Sequence, residues 1–400
     1  MQVKEASLKQ IPKKLEELPQ FVTDFYNYHK VNTQPTTNLA YLREIERFCT
    51  WLRTHTGTDY AQPISSATDN RHITVRELAK LNTQDMNQYI YWLKNQPTIY
   101  GTLPTAGSIN QTISALKSFF KYMSVDSEVG TSNKPFLSYN PMLKVKMEKD
   151  SETLNYRTQK ISDQLFVDEE QALVDFIDND YEDMLKSKQA RYAFNRNKSR
   201  DLAMIATMLG SGVRISELAG LDMNDVHIKK EKNTGKIEYS AELEVIRKGN
   251  YKDRVFVVPW TVKYLVAYLE ERKEKYHADD SQPAVFLTLF KGQSQRITTR
   301  SIEKLTSKYT KAYGRPSTPH KLRHTLGTEL YRRNRNIVAV AQQLGQTSTS
   351  ATDRYTHVGD GDLYVDLLHI GENTDKPIKD NEEWESHNSP LVFRLFSCED

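Results

Sequence analysis

Over residues 141–160 the chain loses its apolar anchors, and the run "EKDSETLNYRTQK" offers charges and hydroxyls with little to bury. A segment of that composition does not build a core, and 400 residues exceed what a single hydrophobic core usually serves. The break therefore reads as a linker, bounded at 146–165, between a first domain at 1–145 and a second at 166–370. Residues 371–400 are acidic and polar up to a closing "LVFRLF" and are expected to form a disordered tail.

The two sides of the break differ in period. In "LAYLREIERFCTWL", Leu39, Leu42, Ile45, Cys49 and Leu52 recur at three- and four-residue steps, the stripe of an amphipathic helix. "SINQTISALKSFFKYM" repeats it with Ile109, Ile113, Leu116, Phe120 and Met123, behind Ser108 as the expected N-cap. "DMNQYIYWLKN" adds a helix, "GTDYAQPISSATDNRH" reads as a loop, and "IPKKLEELPQFVTDFYNYH" reads as amphipathic helix. Beyond the break, "RDLAMIATMLG", "RISELAGL", "TVKYLVAYLEERKEKY", "SIEKLTSKYTKAYG" and "TPHKLRHTLGTELYRR" are helical. "YSAELEVI" and "RVFVVP" have strand composition, and the polar turn "RKGNYKD" joins them as a hairpin. The expected fold is mainly α with a small β-sheet, in two domains: one helical, one α+β.

Composition narrows the class only a little. A net charge of +3 is compatible with nucleic acid and with many other partners. Two cysteines, Cys49 and Cys398, cannot make a disulfide framework and suit a reducing compartment. No run of eighteen apolar residues and no apolar N-terminal segment is present, so a cytoplasmic protein without a membrane span is expected.

Three basic clusters invite chemistry, and each has a plain structural alternative. Thr318 and Pro319 suit a helix start, placing His320 and Arg323 one turn apart near the positive end of the dipole. That pair suits a phosphate, but a solvated basic face explains it as well. Arg214 follows a Gly-Ser-Gly turn between two apolar helices, where it needs an anionic partner. An internal salt bridge to Glu217, one turn on, would supply it. The hairpin turn carries Arg247, Lys248, Lys252 and Arg254. Hairpin tips are usually just polar, yet one is thin enough to bring an ammonium to a DNA phosphate.

In this order and spacing the clusters resemble the tyrosine recombinase (phage integrase) family, over about residues 166–370. "ATMLGSGVRISELAGLDMNDV" is similar to its first arginine box, and "RKGNYKDRVFVVP" to its lysine hairpin. "TPHKLRHTLGTELYRR" is similar to its His-x-x-Arg box, and "LGQTSTSATDRYTHV" to the segment ending in the nucleophile. The first domain is more loosely similar to the family's helical core-binding domain. Within the family the chain looks nearest to single-protein Xer-type site-specific recombinases.

The resemblance implies that Tyr355 attacks a DNA phosphate, forming a 3′-phosphotyrosyl bond and freeing a 5′-hydroxyl, with rejoining through a Holliday junction. It implies a charge clamp from Arg214 and Arg323, a proton for the leaving oxygen from Lys248, and proton transfer at the tyrosine by His320. No cofactor, ATP or metal is implied. The partners implied are double-stranded DNA carrying a specific site and three more copies of the chain, with a DNA translocase as a possible accessory. Gln346 departs from the pattern, because most relatives carry His or Trp after this glycine. An amide still donates a hydrogen bond but is neutral and more flexible, so the departure puts full-rate cleavage in doubt. His324, adjacent to Arg323, points about 100° away around its helix and is not expected to replace the donor that Gln346 departs from. His357 belongs to the common "YTH" ending. Three other readings stay open: a non-catalytic DNA-binding relative, a type IB topoisomerase, and an integrase of a mobile element rather than a resolver of chromosome dimers.

Overall fold

The computed structural model describes residues 2–55, 62–99, 101–130, 133–149, 166–233, 236–247 and 251–346. Most of the expected linker, the turn carrying Lys248, the segment with Tyr355 and His357, and the tail at 371–400 lie outside those residues. The described residues build two large hydrophobic cores, one drawn from residues 11–145 and one from 166–322.

The first core is enclosed by helices α1 (Gln2–Glu16), α2 (Gln20–His29), α3 (Pro35–Thr54), α4 (Val75–Leu78), α5 (Thr83–Lys94) and α6 (Ala106–Lys121). The amphipathic N-terminal segment is two helices, because Pro19 sits extended at the N-cap of α2. The α3 stripe Leu39, Leu42, Ile45, Cys49 and Leu52 is buried as expected, and Phe48 and Trp51 widen it. Those two rings meet Tyr89 of α5 edge-on, at 5.1 and 5.2 Å between centroids. Burial pushes the Cys49 thiol up to about 12, so it behaves as a small apolar side chain. Helix α6 starts one turn earlier than expected. Thr105 is its N-cap, and its hydroxyl accepts from the Ser108 N–H at 3.2 Å.

The second core surrounds α7 (Glu170–Asn179), α8 (Lys188–Ser211), α9 (Ile215–Gly220), α10 (Pro259–Lys275), α11 (Thr299–Ala312), α12 (Pro319–Asn334) and α13 (Ile337–Leu344). Every residue from 200 to 211 is buried, so the second half of α8 runs through the interior, as a mostly apolar helical segment can. The charged pair at its entry is satisfied internally. Arg200 donates to Asp201 at 2.7 Å, and the Tyr309 hydroxyl donates to the other carboxylate oxygen at 2.7 Å.

Strands β1 (Val226–Asn233), β2 (Lys236–Ile246) and β3 (Lys252–Val257) form an antiparallel sheet in that order. The expected hairpin is β2–β3, in register Val245↔Asp253 and Ile246↔Lys252. Ala241, Leu243 and Val245 alternate inward, the period of a half-buried strand. β1 was not legible because "VHIKKEKN" is too charged to look like a core strand. A short second pair, β4 (Leu287–Phe290) and β5 (Gln293–Arg296), turns through Lys291 and Gly292 at φ +50° and +78°, the geometry of a tight hairpin. Among the described residues no helix is long and apolar enough to cross a membrane.

The packing of α8 on α10 rests on Gly210. A Cβ there would lie 2.2 Å from Thr261 Oγ1 and 3.0 Å from its Cβ, and Gly210 O accepts from the Val258 N–H at 2.8 Å. Gly210→Ala should therefore cost on the order of 1–3 kcal/mol by overpacking. Gly220→Ala, with open space around its Cβ, should be near neutral. Urea unfolding of the two variants checks the contrast, and equal midpoints would contradict it.

Candidate active site

Helix α8 ends at Gly212, which takes the left-handed conformation at φ +65°, the usual stop signal. A Cβ at Gly212 would sit 2.6 Å from Leu344, so the turn packs directly under α13. Two residues later Arg214 is the extended N-cap of α9. Its backbone N–H donates to Glu217 Oε2 and its Nη1 to Glu217 Oε1, each at 2.7 Å. The internal salt bridge that the sequence offered as an alternative thus exists, and it orients the arginine. The side chain of Arg214 keeps 36% exposure while that of Glu217 keeps 2%.

Arg323, on the second turn of α12, is 2% exposed. Its Nη1 donates to Gly212 O at 2.5 Å, and its Nη2 donates to Leu344 O. Helix α13 ends at Gly345 in the left-handed conformation, φ +55°, and Gly345 O accepts from Arg214 Nη2 at 3.3 Å. Both expected clamp arginines therefore meet at the last carbonyls of α13, the negative end of that helix dipole. Gln346 follows at once, its backbone N–H bonded to Ala341 O at 2.9 Å.

Arg247 is the surprise of the hairpin. The sequence suggested an exposed tip, yet Arg247 is 3% exposed. Its Nε donates to Asp253 at 2.9 Å, Nη1 to Glu217 at 3.1 Å, and Nη2 to Gln343 O at 3.1 Å. Asp253 six residues on, across the hairpin, was the signal that could have flagged a partner.

His320 is exposed at the start of α12, one turn before Arg323. Its Nε2 lies 2.9 Å from Nε2 of His324, with the rings edge to face, so one ring donates and the other accepts. A residue four positions on shares a face with His320, whatever its angle from Arg323. Measuring its angle from Arg323 alone missed that contact. Lys248 and Tyr355 lie outside the described residues. Among the described residues no group of three or more His, Cys, Asp or Glu is placed to hold a metal ion.

Chemically, the cluster is a set of fixed guanidinium donors with one of them, Arg214, facing solvent. Guanidinium forks favour carboxylate and phosphate oxygens, and the buried Glu217 and the α13 carbonyls hold them in place beforehand.

Known proteins are similar to this chain in sequence and in fold. The pattern of the phage integrase family matches residues 168–361. Tyrosine recombinase XerS of Streptococcus thermophilus strain CNRZ 1066 is 36% identical over 361 residues, covering 89% of this chain and 96% of that protein. XerS of Streptococcus uberis strain ATCC BAA-854 / 0140J is 39% identical over 347 residues, covering 85% and 92%. Among solved structures, the XerH site-specific recombinase bound to palindromic difH substrate, a post-cleavage complex, superposes with a TM-score of 0.56. It is 15% identical, over 84% of this chain and 80% of that one, a likeness of fold. The identity to the two XerS proteins across nearly their whole length is of another order, and the chain belongs to the phage integrase family of tyrosine recombinases.

Proposed function

We propose that the chain is a site-specific DNA recombinase of the Xer type, which cuts and rejoins double-stranded DNA at a defined site and resolves chromosome dimers in the cytoplasm. The observation that carries the chemistry is the convergence of Arg323 and Arg214 on the carbonyls of Leu344 and Gly345 at the end of α13, eleven and ten residues before Tyr355. The relatives named XerS support the Xer-type role. They favour it over an integrase of a mobile element, a non-catalytic relative or a topoisomerase.

In this reading the Tyr355 phenol, whose ordinary pKa is near 10, passes its proton toward His320 as its oxygen attacks phosphorus. The Tyr–O–P bond forms and the P–O5′ bond breaks, its electron pair leaving on O5′, which Lys248 protonates. Arg214 and Arg323 neutralise the charge that builds on the non-bridging oxygens. Gln346 would donate a weaker hydrogen bond to the same phosphate. The phosphodiester energy is kept in the 3′-phosphotyrosyl bond, so the 5′-hydroxyl of the other duplex rejoins without ATP. Running this twice passes through a Holliday junction.

Residues 1–145 would clamp the duplex opposite a catalytic domain at 166–370, with 146–165 as hinge. Four chains would assemble on paired sites, with an accessory translocase as a candidate further partner. Residues 371–400 are a tail outside the chemistry.

Covalent trapping in cells tests the reading. DNA recovered on the wild-type protein should map to one chromosomal locus, and Tyr355→Phe should trap none. Adducts on the Phe variant would overturn the nucleophile, and reads confined to the ends of a mobile element would overturn the role.

On a nicked duplex carrying that locus, Arg214→Ala and Arg323→Ala should each slow cleavage by about 10²–10³-fold. EDTA should leave wild-type cleavage unchanged, since side chains supply the charge. Melting temperatures measured alongside separate lost chemistry from lost fold. A strict divalent-metal requirement would contradict the mechanism.

A further inference from the structure

Arg247 does more than a polar hairpin residue should. Its backbone N–H donates to Tyr251 O at 3.0 Å, closing the turn that contains Lys248. Its guanidinium then leaves the hairpin and ties it to two other elements. One bond stays on β3 through Asp253, one goes to Glu217 of α9, and two go to the carbonyls of residues 343 and 344 at the end of α13. The side chain is 1% exposed and so is shielded from water, most fully on the side of Glu217, which is 2% exposed, and less on the side of Asp253, which is 37% exposed.

The fit is mutual. A Cβ on Gly345 would lie 2.3 Å from Arg247 Nε and 2.4 Å from its Cζ. The α13 terminus can close over the guanidinium only because residue 345 has no side chain. A buried guanidinium must be compensated on every side, and two carboxylates plus a helix C-terminus do so here. The same Glu217 carboxylate accepts from Arg214, so the base of the lysine turn and the exposed clamp arginine share one anchor.

We propose that Arg247 is a positioning residue for Lys248. It fixes the root of the lysine turn to the arginine network, so that the ammonium meets the leaving oxygen of the phosphate that Arg214 holds. The inference rests on the proposed role of Lys248 as proton donor. A simple structural pin is the competing account, and it predicts a loss that does not depend on the leaving group.

The leaving group can be changed chemically. With sulfur in place of the bridging 5′-oxygen, the P–S bond breaks to give a thiolate that needs no proton, and a missing proton donor then costs little. The test compares single-turnover cleavage of two nicked suicide duplexes of the trapped site, one with bridging 5′-oxygen and one with bridging 5′-sulfur. Lys248→Ala, Arg247→Met, Arg247→Lys, Asp253→Asn and Arg323→Ala are compared with the full-length wild-type chain.

Arg247→Met should slow the oxygen substrate by about 10²-fold, within the range a general acid contributes, and regain most of that on sulfur, as Lys248→Ala does. Arg247→Lys, which keeps the charge but satisfies fewer partners, should fall between. Arg323→Ala should remain slow on both. Asp253→Asn removes a partner from the more open side of the network and should show the same sulfur-selective recovery, smaller in size, even if Arg247→Met does not fold. Recovery of Lys248→Ala without recovery of the Arg247 and Asp253 variants overturns the proposal alone. No recovery of Lys248→Ala removes the proton-donor role, and the proposal with it.

Discussion

The end of α13 is held by charge meeting backbone carbonyl. Val340 and Leu344 are buried, but they form a small cluster with Leu330 and Tyr331 apart from the main core. The stronger attachment comes from Arg323, Arg247 and Arg214, each donating to a carbonyl among residues 343–345. Three guanidiniums in one place repel, and the repulsion grows where water is excluded. The buried carboxylate of Glu217, bonded to both Arg214 and Arg247, together with the negative end of the α13 dipole, makes the grouping tolerable. The segment that leads on to Gln346 and Tyr355 is thereby anchored by Arg214 and Arg323, proposed to meet the phosphate, and by Arg247 beside them.

That economy shapes the surrounding fold. Gly212 must be glycine twice over, for its positive φ and for the nearness of Leu344. Gly345 must be glycine for its own positive φ and for the Arg247 guanidinium beneath it. Gln343 adds two bonds from its amide, to Ser211 O at the end of α8 and Phe256 O on β3. Helices α8, α9, α12 and α13 and the β2–β3 hairpin therefore all terminate or turn at one point. Binding energy there is spent on preorganisation, which is how an electrostatic site gains rate.

Much of this was legible in the sequence where local physics decides structure. The α3 and α6 stripes follow helical period, the start of α12 follows Thr318 and Pro319, and the β2–β3 hairpin follows strand composition around a polar turn. Arg214 and Glu217 at a three-residue spacing already spelled out their ion pair. What was not legible depends on distant partners. A buried Arg247 cannot be inferred from a polar turn, because apart from Asp253 its acceptors lie 30, 96 and 97 residues away. β1 hid behind its three lysines and one glutamate, and Thr105 outcompeted Ser108 as a cap that no period distinguishes. His324 was judged by its angle from the wrong neighbour. The roles of Lys248 and Tyr355 came from family resemblance.

The central claim is that the guanidiniums act by neutralising charge on the scissile phosphate, and it can be measured on the substrate rather than on the fold. Replacing one non-bridging oxygen of that phosphate with a methyl group removes its negative charge and the need to neutralise it. Cleavage of this methylphosphonate site by the Arg214→Ala chain should approach that of wild type on the same substrate, although the variant fails on the natural phosphate. A defect of equal size on both substrates would contradict the account, leaving Arg214 a structural partner of Glu217 and nothing more.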